Sequence, residues 1–198
     1  NTFTHTRNPY SDYGYYFLTE DQENIPATVP RREAMAAAPS RVVTTPAYEL
    51  HEVDDYAWFH GGRHLVESYD FANGNKRQYK LTAKGIVPLK DATLDVCFTH
   101  NGATNTTLAV AVDSATIGTL SLSAIGGHSD AASTTRSYKM QIAPQNSTGE
   151  FKVTLVHHRS ASISGRLDYL RLNYMSTIDF NKPIYATKEG IHTYEIDS

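Results

Sequence analysis

The chain is almost without cysteine. Its 198 residues include one, Cys97, so no intrachain disulfide can form and the redox compartment stays open. No apolar run approaches the ~20 residues that a membrane-crossing helix needs. Basic residues never gather into a stripe: 18 Lys and Arg stand against 21 Asp and Glu, for a net charge of -3. Phosphate binding draws on clustered Lys and Arg, so nucleic acid is not an expected partner. An internal repeat, a low-complexity tract and a phosphate-cradling glycine loop are also missing. With neither an initiator Met nor a signal peptide, the stretch from NTFTHTRNPY to IHTYEIDS is expected to be a piece of a longer protein.

What is present is a globular composition, 40% hydrophobic and 11% aromatic, with 13 tyrosines to a single tryptophan. From Lys76 onward the pattern has period two. YKLTAKGI, TLDVCFTH, TLAVAVD, TLSLSA, YKMQIA, EFKVTLVHH and LDYLRLNY each alternate apolar and polar residues. Strands send successive side chains to opposite faces, so each is expected to have one buried face and one wet face. Asn73-Gly74-Asn75, Asn101-Gly102, Gly126-Gly127-His128 and Asn146-Ser147-Thr148-Gly149 punctuate them with residues that tolerate tight turns. The expectation is an all-β fold, an antiparallel, jelly-roll-like β-sandwich. Residues 1–47 are expected to form an irregular N-terminal strand or hairpin, YGYYFLTE, and an exposed connector holding Pro26, Pro30, Pro39 and Pro46. Residues 48–198 are expected to form the sandwich.

The densest chemistry is HEVDDYAWFHGGRHLVES, from His51 to Ser68. His51-Glu52 begins like a metalloprotease helix, but Asp55 stands where the second His belongs. His60 and His64 have helical spacing, and Gly61-Gly62 between them disfavours the helix. Glu52, Asp54 and Asp55 offer hard oxygen ligands without the spacing of a calcium loop. No metal site is expected. Cys97, with His100 nearby or His157-His158 on another strand, is the one candidate nucleophile. It falls inside a strand, on the face of Asp95 and Thr99, and three residues along a strand put His100 on the other face. A structural thiol is therefore expected, with no catalytic residue in the chain and no cofactor. Asn105-Thr106-Thr107 and Asn146-Ser147-Thr148 match the glycosylation sequon, a pattern common in turns. Tyr13, Tyr15, Tyr16 and Phe17 are expected in core rather than in a sugar-stacking platform. The acids of the dense stretch are read as a clamp. Glu52 or Asp54 is expected to pair with Arg63 across the Gly61-Gly62 turn, with Glu67 in the same group, because a guanidinium suits bidentate pairing with a carboxylate.

Three stretches, in order, resemble one family. RNPYSDYGYYFLT, HEVDDYAWFHGGRHLVES and GRLDYLRLNYMSTI are similar to segments of gingipain-like cysteine peptidases of the PorU type. These are the C25-family sortases of type IX secretion in Bacteroidetes. The resemblance implies that the parent protein is a surface peptidase that removes C-terminal sorting signals from secreted cargo. It implies that the catalytic His–Cys pair lies in a downstream caspase-like domain, so that this part is a non-catalytic accessory module. It further implies export to the outer membrane surface and an outer-membrane β-barrel partner of the PorV kind. The alternative, from the fold class alone, is a carbohydrate-binding or other ligand-binding module.

Overall fold

The structure, a computed structural model, describes residues 40–58, 64–126, 131–141, 148–160, 163–179, 184–185 and 192–196. Among these, every regular element is a strand. The strands are β1 (Arg41–Val42), β2 (Thr44–Glu52), β3 (Tyr56–Ala57), β4 (Leu65–Val66), β5 (Lys76–Thr82) and β6 (Asp91–His100), followed by β7 (Thr106–Val112), β8 (Ala115–Leu122), β9 (Ala132–Gln141), β10 (Glu150–His158), β11 (Gly165–Thr177) and β12 (Thr193–Tyr194).

Eight of them build two four-stranded sheets, ordered β2-β11-β6-β9 and β5-β10-β7-β8. Every pairing within these sheets is antiparallel. Counted along the chain as first to eighth, the strands run 1-8-3-6 in one sheet and 2-7-4-5 in the other. This is the double-sheet jelly roll, whose consecutive strands mostly change sheet. The short strands lie outside this frame: β1 pairs with β12 in parallel, and β3 pairs with β4 as a hairpin.

Alternation explains the core. Tyr79 and Leu81 of β5, Leu108 and Val110 of β7, and Phe151 and Leu155 of β10 face Leu94, Val96 and Phe98 of β6 and Leu167, Leu170 and Leu172 of β11 across the gap between the sheets. The β7–β8 turn is tight. Asp113 and Ser114 both have positive φ, 48° and 82°, the mirror-image turn that suits the right-handed twist of a hairpin.

Two expectations change. The single wet face holds for β5, β7 and β10 but fails for β6, where Leu94 to His100 are all buried, and for most of β11. Also, Pro46 is not in an exposed connector. Strand β2 begins at Thr44 and runs through the 47/48 boundary, with Thr45 and Pro46 already buried. Pro46 is tolerated because β2 lies at the end of its sheet order, where a missing N–H breaks no ladder bond. YGYYFLTE and Tyr13 to Phe17 lie outside the described residues.

Candidate functional site

The charged stretch from His51 to Ser68 leaves β2, turns through Val53 to Asp55 and forms the β3–β4 hairpin. Its acids mostly work locally. The Asp55 carboxylate accepts from the Ser68 amide and hydroxyl, each at 2.6 Å, and the Ser68 hydroxyl bond is the main reason its pKa is lowered. Glu67 is buried. It pairs with Arg77 at 2.6 Å and accepts from the Tyr79 hydroxyl at 2.8 Å. Burial, and then the Glu67 charge, push the Tyr79 phenol well above its ordinary range. Arg77 lies over the rings of Tyr69 and Tyr79, 4.3 and 5.2 Å from their centroids. His51 packs on Tyr79 at 4.9 Å, and burial lowers its pKa.

Beneath the hairpin sits a second cation. Arg166 lies 3.7 Å from the Tyr56 ring centroid and 5.7 Å from that of Trp58. It donates to the Ser68 carbonyl and to Asp70, the latter at 3.2 Å. Asp70 also accepts from Ser164 and from the amides of Ala72 and Gly165. Burial alone would raise the Asp70 pKa, but these bonds and Arg166 hold it below the usual carboxylate value. The corner is thus a brace that ties the hairpin to β5 and β11. Of the expected clamp, Arg63 lies outside the described residues, as does His60. Glu67, which the sequence reading grouped with Arg63, has Arg77 as its partner. Arg77, Arg166 and Asp70 were not picked out from the sequence. The legible signal was an arginine at the head of an otherwise apolar run, as in GRLDYL.

On the outer face of β6, the Cys97 thiol donates to Asp168 at 3.2 Å. It is buried, and burial and the Asp168 charge push its pKa up to about 12. A thiolate is the nucleophilic form, so this thiol is inert near neutral pH. His100 is on the inner face and accepts from the Gly102 amide at 3.1 Å. His157 is buried and hydrogen-bonds Thr106 at 3.1 Å, while His158 is exposed. None of the three serves Cys97. The histidine nearest Asp168 is His64, at 3.4 Å, which also reaches Thr99 and Ser133. A register shift between Leu167 and Tyr169 carries Asp168 to this face. There its carboxylate comes within 4.8 Å of those of Glu52 and Asp54, oxygen ligands of the kind a hard cation takes. Asn105 is exposed and accepts from the Ala124 amide at 2.7 Å, an ordinary turn contact.

Elsewhere, among the described residues, the sandwich opens into hollows. One, of about 510 Å³, runs along β2 and is lined by Thr45 to Leu50, Thr82, Lys84, Tyr174 and Tyr185. Tyr48 and Tyr185 are 46% and 37% exposed. The backbone of Tyr185 is fixed by Thr45, whose hydroxyl accepts from the Tyr185 amide at 2.8 Å and donates to its carbonyl at 3.2 Å. Burial, and then the Glu49 charge, push the Tyr174 phenol up to about 12. Another hollow, of about 400 Å³, lies over β5 and β10 among Lys80, Lys152, Glu150 and Asp113. Its two aromatics, Tyr79 and Phe151, are buried.

The arrangement defines a β-sandwich whose described polar clusters brace the fold, with an aromatic groove at one side. No protein-family model and no curated protein sequence matches the chain. Among solved structures, it is similar to dimeric latent PorU from Porphyromonas gingivalis, with a TM-score of 0.58 and 13% identity over 74% of this chain. That match spans 14% of the PorU chain. Looser likenesses are to the CBM36-1 domain of a multidomain xylanase from the hindgut metagenome of Trinervitermes trinervoides (TM-score 0.40, 12% identity, 64% of this chain and 95% of that one) and to a family 35 carbohydrate-binding module from Clostridium thermocellum (TM-score 0.38, 10% identity, 65% and 90%). At these identities the likeness is one of fold.

Proposed function

We propose that this jelly roll is a non-catalytic accessory module of a surface cysteine peptidase of the PorU type, acting on cargo of type IX secretion. The observation that carries the reading is the fold shared with a segment of PorU over 74% of this chain. The three ordered stretches that resemble the same peptidases support it independently. The chemistry agrees, since Cys97 is buried and protonated, and its neighbour Asp168 raises the thiol pKa instead of lowering it. In this reading the catalytic pair belongs to a caspase-like domain of the same protein, at the outer membrane surface beside a β-barrel of the PorV kind.

The test is association in trans. Mixed with a PorU-type catalytic domain lacking this region, the chain should co-elute on size exclusion and restore cargo processing. Separate elution with no restoration overturns the reading. The groove along β2 favours a second reading, a carbohydrate-binding or other ligand-binding module.

A further inference from the structure

We propose that the groove between β2 and Lys84 is a carbohydrate site that holds a short, uncharged stretch of oligosaccharide, with Tyr48 and Tyr185 as its stacking platforms. The proposal rests on the second, ligand-binding reading and is independent of the peptidase one. Its dimensions fit: about 510 Å³ lies within the roughly 300–1,000 Å³ of small-molecule sites.

Its walls have the amphipathic character of a sugar. A pyranose offers C–H groups on its faces and hydroxyls around its rim. Tyrosine offers an apolar ring with a polar tip, and two such rings stand here at 46% and 37% exposure. Glu49, Thr82 and Lys84 also line the groove, and their side chains carry a carboxylate, a hydroxyl and an ammonium. A carboxylate accepts from two neighbouring hydroxyls at once. One acid and one base cancel, so a strongly charged ligand gains little.

The groove is also held in shape. The Thr45 hydroxyl bonds both the amide and the carbonyl of Tyr185. Tyr174 and Ser176 donate to the Lys84 carbonyl at 3.4 and 3.2 Å. A preformed site spares a ligand the cost of ordering it. An extended peptide fits less well. Strand addition needs a run of backbone donors along an edge, and Pro46 removes one within the groove while the Tyr185 backbone stands against Thr45.

The full chain would be screened on a printed array of plant, fungal and bacterial glycans that includes xylo-, cello- and manno-oligosaccharides. The strongest hit would then be titrated as a soluble oligosaccharide. Binding is expected, with Tyr185→Ala and Tyr48→Ala each weakening it about tenfold and Glu49→Gln several-fold, at unchanged melting temperature. Tyr48→Phe, which keeps the ring, should retain most of the affinity. Lys152→Ala, in the hollow over β5 and β10, should retain all of it. Binding that survives both tyrosine-to-alanine changes would overturn the groove while leaving the ligand-binding reading intact. A blank array would overturn both, and binding of extended peptides in place of glycans would overturn the carbohydrate assignment.

Discussion

In the sheet β5-β10-β7-β8, burial alternates along the strands and the outer face is wet, with Lys80, Lys152 and Thr154 turned outward. In the other sheet, the central strands β6 and β11 are buried on both faces. What lies on the second face is polar. Asp95 accepts from Arg171 at 2.6 and 3.0 Å, from Asn173 at 3.0 Å and from Ser137 at 2.5 Å. Asp95 and Arg171 are 2% and 6% exposed. Arg171 Nη1 and Asn173 Oδ1 find no hydrogen-bond partner among the described residues. The same period-two grammar therefore serves two designs. In one sheet polarity marks water; in the other it marks an internal network.

The comparison breaks most sharply at Asp95. Asp95→Ala leaves Arg171 buried without its counter-charge, which costs about 3–5 kcal/mol. At ~2–4 °C per kcal/mol for a chain of this size, differential scanning calorimetry should show a drop of roughly 10 °C. A melting curve that overlays the wild type would mean that the second face is open to water.

Acid should act next, on the core that the two sheets share. His157 is buried between Phe71 and Phe98, and burial holds its pKa down from 6.5 to about 4. The unfolded chain binds this proton at higher pH than the folded chain does. Stability is therefore full above about pH 6.5 and falls as the pH drops toward 4, by up to about 3 kcal/mol at ~1.36 kcal/mol per pH unit. Urea midpoints measured across that range should fall, and His157→Leu should flatten the slope. An unchanged slope in that variant would place the acid sensitivity elsewhere.

Cys97 sharpens the contrast at the level of reactivity. With its thiol pushed up to about 12, the folded chain should resist iodoacetamide at pH 8 for hours and label within minutes in urea, since only the thiolate reacts. Under the proposed accessory role, Cys97→Ala should leave cargo processing unchanged; lost processing at an unaltered melting temperature would make the thiol catalytic. The smallest effect belongs to the wet face. Lys80 pairs with Glu150 at 2.5 Å, but both are more than half exposed, so Lys80→Ala should cost at most about 1 kcal/mol.

Period two made the sandwich legible, because seven alternating segments each correspond to one of its long strands. It could not reveal β2, where Pro46 and the run AYELHE blur the alternation. Nor could it reveal the second buried face, since Asp95, Cys97 and Thr99 read as solvent-facing until the tertiary fold buries them. The β7–β8 turn was hidden because Asp113-Ser114 lacks the glycine that usually announces positive φ. At the charged corner, residue types were legible and partners were not. Glu67 and Arg77 are ten residues apart across a loop, and Asp70 and Arg166 are 96 residues apart in sequence. Ion pairs of that span are set by strand order, which composition does not encode.

That strand order also governs when the molecule can exist. The earliest long strand, β2, pairs with the last, β11, with His51 opposite Leu170, and β6 must wait for β11 and β9. Of the eight strands in the two large sheets, only β7 and β8 pair with their neighbour along the chain. A topology so dominated by distant pairings closes in milliseconds to seconds rather than microseconds. On the ribosome, the segment around Tyr169 would have to emerge before the sheet β2-β11-β6-β9 could close, so a nascent chain stopped at His158 should remain open to proteases along β2, whose partner β11 is still missing.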